Sequence, residues 1–238
     1  TGVQTCALPI CGTSVVDNGI FDVGGTSSGA SVVSLSGSGS VLLGAKTLTI
    51  SNANGTYSGV MSGTGGLTLT AGTLTLGGAN TYTGSTTVNG GTLIVSGSLS
   101  DDTAITLATG TTYNVNASDT VGSIAGSGSI TTSTSGAKTL TVGNDNSDTN
   151  FTGVISNGSG SLGLTKVGLG NLLLTNNNTY TGSTTINGGT LTVNGSLADG
   201  TSVSVASGAT YALGASDTIT SLSGAGAVNL KDRKSTRL

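Results

Sequence analysis

Apolar residues come in pairs spaced by two along this chain: Leu67/Leu69, Leu74/Leu76, Leu93/Val95, Ile105/Leu107 and Tyr113/Val115. That is the alternation of a short strand with one buried face. Gly-Gly, Asn-Gly, Ser-Gly and Gly-Ser dipeptides fall between the pairs and supply turns. β-branched Thr, Val and Ile are everywhere and Ala-, Glu- or Lys-rich windows are few, so strands are predicted and helices are not. Three such strands make a coil of roughly twenty to thirty residues, the arithmetic of a three-faced parallel β-helix with strands ~4.8 Å apart. An antiparallel sandwich with regular hairpins is the competing arrangement.

Repetition separates the two. NTYTGSTTVNGGTLIVSGSL, starting at Asn80, returns as NTYTGSTTINGGTLTVNGSL, starting at Asn178. The offset of 98 holds without a gap from Asn80–Ile130 to Asn178–Val228, and 30 of those 51 positions are identical. Many differences exchange one aliphatic for another, as in Val88/Ile186, Ile105/Val203 and Ile124/Leu222. A partial third copy lies upstream, where SLSGSGSV (34–41) and GAKTLTI (44–50) match SIAGSGSI (123–130) and GAKTLTV (136–142) at offsets of 89 and 92. A block this long is several coils rather than one, and stacking demands matching surfaces from copy to copy. The prediction is an all-β solenoid, a parallel β-helix built from imperfect blocks of 90–98 residues with about four coils each.

Composition agrees with a thin core. Of 238 residues 42 are Gly and 7% are charged, yet 34% are hydrophobic, enough to fill a narrow interior with Val, Leu and Ile. Two Phe, five Tyr and no Trp could not fill a wide one. No stretch approaches the ~18 apolar residues of a membrane-spanning helix, so no direct membrane insertion of this segment is expected. The two ends differ from everything between them. Residues 1–11 hold both cysteines (Cys6, Cys11) and the single Pro9, and residues 231–238 hold four of the seven basic residues. Both read as non-native, adapter-like segments flanking a repeat region at 12–230. The repeat region itself carries three Lys and nine Asp. Neither end is therefore used to infer redox chemistry or nucleic-acid binding.

The absence of His and Glu removes Cys/His zinc sites and Ser-His-Asp triads. Asp remains. Asp101 and Asp102 adjoin, but the next copy has Asp199 and Gly200, so they read as turn residues. A carbohydrate-active enzyme would instead gather Asp101, Asp102 and Asp119 in one groove. Asp119 and Asp217 recur in ASDT and read as local Asx caps. GNDNSDTN (143–150) lacks the spacing of a calcium loop and reads as an inserted corner. Tyr82 and Tyr180 recur and are the candidate glycan contacts, with packing inside the solenoid as the plainer alternative. Thr-x-Thr pairs such as Thr139/Thr141 suggest an ice-binding ladder, disfavoured by variable spacing and by the break at Thr92/Ile94. The expectation is no catalytic residue, no metal and no cofactor.

NTYTGSTTVNGGTL and NTYTGSTTINGGTL resemble the autotransporter-associated β-strand repeat of bacterial type V secretion passengers. GGLTLTAGTLTLGGA (65–79) and GSLGLTKVGLGNLLLTNN (160–177) are similar to its upstream half, with Lys166 where that family often carries Lys. The resemblance implies a right-handed β-helical passenger displayed on, or released from, the surface of a Gram-negative cell. It implies as partner a C-terminal outer-membrane β-barrel translocator in the full-length protein. It leaves open an adhesin contacting host glycans or matrix.

Overall fold

The computed structural model describes residues 3–5 and 12–230. The remainder of the two end segments, including Cys6, Cys11 and the 231–238 tail, lies outside the described residues. Every strand pairing is parallel, and each coil visits three faces in turn. The first coil shows the order: Val15–Asp17, Ile20–Asp22, then Ala30–Val32. The third position builds one uninterrupted long face of eleven strands, from Ala30–Val32 to Ala227–Leu230. The first position builds an eight-stranded face ending at Val154–Ile155. The second is a split face: a four-stranded sheet ending at Val60–Gly63, then a six-stranded sheet from Asp119–Val121 to Ser221–Gly224. Eleven coils are thus stacked, and the antiparallel alternative is excluded.

Coils are tighter than the sequence pairs suggested. Leu67 sits over Leu48 and Thr86 over Leu67, nineteen residues on each time. Two middle coils are longer: Phe151 lies over Gly126 and Leu174 over Phe151, at steps of twenty-five and twenty-three. The extra residues lie outside the strands, in corners such as 132–137 and 143–148, so strand register is kept. Many inward positions stack into apolar columns, interrupted at a few buried polar residues such as Thr86 and Lys166. Val32, Ile50, Leu69, Val88 and Leu107 make one; Leu74, Leu93, Tyr113, Ile130 and Ile155 make another, all buried. Each such aliphatic contributes ~1.5–3 kcal/mol by leaving water.

Corners depend on glycine at two stacked positions. Gly72 and Gly91 both have φ +81°, and a Cβ on either would meet the carbonyl oxygen of the coil below at 2.0 Å. Only glycine combines that conformation with so close an approach.

The repeated block does not close on a whole number of coils. Strand Thr86–Val88 lies on the long face and Thr92–Val95 on the eight-stranded face. Their counterparts, Thr184–Ile186 and Thr190–Val193, lie on the split face and the long face. The 98-residue offset spans fourteen face-to-face steps, four coils and two faces. The second copy is therefore turned about the solenoid axis by two-thirds of a coil relative to the first.

Candidate functional site

The Asn-Thr-Tyr-Thr-Gly segment occupies the stretch where regular sheet pairing lapses, and its side chains replace the missing bonds. Asn80 is buried; its Oδ1 accepts the Met61 N–H from the coil below at 3.0 Å, and its Nδ2 donates to Ser98 O above at 3.1 Å. Asn178 repeats the bracket between Ile155 N–H (2.9 Å) and Ser196 O (3.4 Å). Alternation then turns the tyrosine inward. Tyr82 and Tyr180 have 0% exposure, and their hydroxyls lie 2.6 and 2.7 Å from the buried Thr86 and Thr184 Oγ1. Thr103 and Thr201 donate to the carbonyls of the same tyrosines at 2.8 and 3.0 Å. A ring without exposed surface cannot stack on a sugar, so the glycan-contact expectation for Tyr82 and Tyr180 gives way to core packing. Burial raises both phenol pKa values, and each hydroxyl is spent on a threonine.

The aspartates of ASDT act between coils, which corrects the local-cap reading. Both oxygens of Asp119 accept the Leu99 N–H, at 3.1 and 3.3 Å, from twenty residues earlier. Asp217 does the same for Leu197, at 3.1 and 3.3 Å, and also accepts its neighbour Thr218 N–H. Sequence reasoning saw that these residues recur but placed their partners in the wrong coil, because a nineteen- or twenty-residue step is invisible without the register.

One hollow of about 250 Å³ opens on the split face, lined by Asp101, Ser118, Asp119, Thr120, Thr139 and Thr141. Two of the three carboxylates named for an enzyme thus line one recess. Asp102 is not among them; its carboxylate accepts a hydrogen bond from Asn144 Nδ2 at 3.0 Å. Burial pushes Asp119 up to about 6, against the Leu99 and Thr120 N–H groups, which lower it; the charge of Asp101 adds to the rise. A glycosidase pair needs one carboxyl as proton donor and a second free to act on sugar or water. Asp119 already serves the Leu99 amide, so the hollow lacks a free, opposed partner for Asp101.

The inserted corner at 143–150 is braced internally. Asp145 Oδ1 accepts from Ser147 N–H (2.9 Å) and Oγ (2.7 Å), and Asp148 Oδ1 accepts from Asn171 N–H (2.7 Å). Among the described residues no three Asp, Glu, His or Cys side chains are grouped to hold a metal. Lys166, inward-facing between Val142 and Ile186, is 1% exposed. Its ammonium donates to the Val167, Gly168 and Gly188 carbonyls and gathers a corner of two coils. Burial lowers its pKa, and the charges of Asp145 and Asp148 oppose that.

Of the repeated polar side chains, Asn80/Asn178, Thr103/Thr201 and Asp119/Asp217 bond coil to coil, whereas the Tyr82–Thr86 and Tyr180–Thr184 pairs close within a coil. Two segments, 71–95 and 164–193, match the passenger-associated-transport-repeat family. They overlap the start of each copy, at 80–95 and 178–193, and run upstream of both; the chain carries repeats of the autotransporter-passenger kind. No curated protein and no solved structure matches the chain.

Proposed function

We propose that this chain is a structural passenger segment of a surface-displayed or secreted autotransporter of a Gram-negative bacterium, supporting export and presentation. In the full-length protein it is joined to a C-terminal outer-membrane barrel. One observation carries the reading. The Asn bracket, the Tyr–Thr pair and the Asp-to-amide bond recur in both copies, although those copies face different directions. What recurs is the set of bonds that hold the coils, while the outward residues of the two copies point in different directions. Each finished coil presents a row of backbone N–H and C=O groups to the next, so coils added outside the membrane hold the emerging chain in place.

The test is display of the chain fused to a translocator barrel, read by protease access on intact cells. The double variant Asn80→Ala/Asn178→Ala removes both brackets. Reduced display, in proportion to lost stability of the purified segment, is expected. Undiminished display of a variant shown to be unfolded would overturn the role in export.

A further inference from the structure

The six-stranded part of the split face carries an array that the sequence spacing concealed. Thr120, Thr141, Thr165, Thr185, Ser204 and Ser223 are stacked in register over six coils. Two residues earlier stand Ser118 and Ser183, each just before its strand, and Thr139, Ser202 and Ser221 on theirs, with the buried Gly163 interrupting this second row. Sequence steps along the first row run from nineteen to twenty-four residues, yet the row is straight, because the additional residues lie in corners. The objection from variable spacing therefore does not apply to this face. The break at Ile94 lies on the eight-stranded face instead.

The array has two further properties. It contains eleven hydroxyls, one glycine and no charged residue; Ser118, Thr120, Thr139 and Thr141 border the hollow that also holds Asp101 and Asp119, and the four coils from Gly163/Thr165 to Ser221/Ser223 lie clear of it. Toward the described residues, only Ser118 Oγ among its hydroxyls makes a hydrogen bond, accepting Thr139 N–H at 3.0 Å. Corner hydroxyls behave differently: Ser51, Thr70 and Thr152 donate to carbonyls of the preceding coil. The rows thus keep their donors and acceptors for something outside the chain, at ~4.8 Å along the axis and ~6.7 Å between rows.

Three occupants compete for such a surface. A second copy of the chain would gain a contact roughly 24 Å long and ~7 Å between rows, far below the ~800 Å² per partner of a stable interface. A polysaccharide would want an aromatic platform, and all five tyrosines are buried. An uncharged two-dimensional grid of free hydroxyls, with methyl groups on half of its main row and more, fits a lattice of ordered water. We propose that the outer face of the six-stranded sheet adsorbs to ice through the Thr120–Ser223 row and its companion row.

The experiment uses the full chain in a nanolitre osmometer, with circular dichroism and thermal melts as controls. Wild type is expected to facet growing ice crystals and hold them within a measurable hysteresis gap. Thr165→Lys places a hydrated charge in the centre of the array and should abolish both effects while the melt is unchanged. Should Thr165→Lys fail to fold, Thr141→Val and Thr185→Val together, isosteric and uncharged, should narrow the gap. Thr68→Lys, outward on the long face, should leave it intact. Unfaceted growth in the presence of folded wild type would overturn the proposal. So would retention on crystalline cellulose, or dimerisation abolished by Thr165→Lys, in place of an effect on ice.

Discussion

Residues 80–130 and 178–228 share 30 of 51 positions in two different settings, and one pair of side chains records the difference. In the second copy Tyr211 Oη donates to Asp217 Oδ2 at 3.1 Å. In the first, the equivalent Tyr113 hydroxyl is buried close enough to Asp119 for each to shift the other's pKa, but among the described residues it makes no hydrogen bond as well formed as that of Tyr211. A third tyrosine outside the long repeat, Tyr57, lies 3.2 Å from Asp17 Oδ2 and 2.8 Å from Gly39 O. The brackets that join coils are kept to within a few tenths of an ångström across the two copies, whereas this tyrosine–aspartate contact is not. Stacking is thus the stringent requirement, and the polar contents of the core are tolerated variants around it.

The largest effect should come from breaking a corner. Gly91→Val forces a β-branched residue into φ +81° and onto the Gly72 carbonyl. A loss of ~3 kcal/mol or more is expected, or failure to fold, in chemical denaturation. Next is the core of each copy. Tyr82→Ala and Tyr180→Ala should each cost ~3–5 kcal/mol, by equal amounts, because the two rings share one environment on different faces. A large inequality would show that the face matters and the stack does not.

Asp119 gives a pH dependence of intermediate size. Its folded pKa of about 6 lies above the model-peptide value of 3.8, so the folded state binds the proton more tightly than the unfolded chain. This group therefore favours folding most at low pH and loses that contribution as pH rises from about 4 through 6. The change is of order 2 kcal/mol after allowance for solvent at the hollow. Asp119→Asn should remove this component of the melting-temperature profile between pH 4 and 7.

The sharpest comparison is the smallest. Tyr211→Phe deletes a hydrogen bond to a carboxylate and should cost ~1.5–3 kcal/mol. Tyr113→Phe deletes a hydroxyl that lies beside Asp119 without a well-formed hydrogen bond, and should cost clearly less than Tyr211→Phe. Equal losses for the two would contradict the difference described between the copies.

Much of this was legible in the chain. Leu67/Leu69 and Leu74/Leu76 marked inward faces by their spacing alone, and the 98-residue offset marked the solenoid. The phase of the copies was not legible. It depends on how many residues each corner absorbs, and the long steps from Gly126 to Phe151 to Leu174 lie in Asn- and Gly-rich segments without periodicity. The same gap hid the partners of Asn80 and Asp119, which belong to neighbouring coils. Tyr82 could have been placed inward from period-two alternation with Asn80, yet its hydroxyl suggests exposure until Thr86 supplies a partner inside. The hydroxyl array was hidden for the complementary reason, since unequal sequence steps conceal an even spacing in space.

The coils stack in a register that runs through the long insertions. Disulfide trapping tests this most directly, in a Cys6→Ser/Cys11→Ser background. Thr141→Cys and Thr165→Cys, twenty-four residues apart, are facing neighbours on adjacent strands. Adjacent parallel strands fall within the ~4.4–6.8 Å Cα separation that a disulfide accepts. Rapid oxidation of the 141/165 pair, with a 141/161 pair left reduced, is the predicted result. Preferential closure of 141/161, the pair that a uniform coil of about twenty residues would bring together, would contradict it.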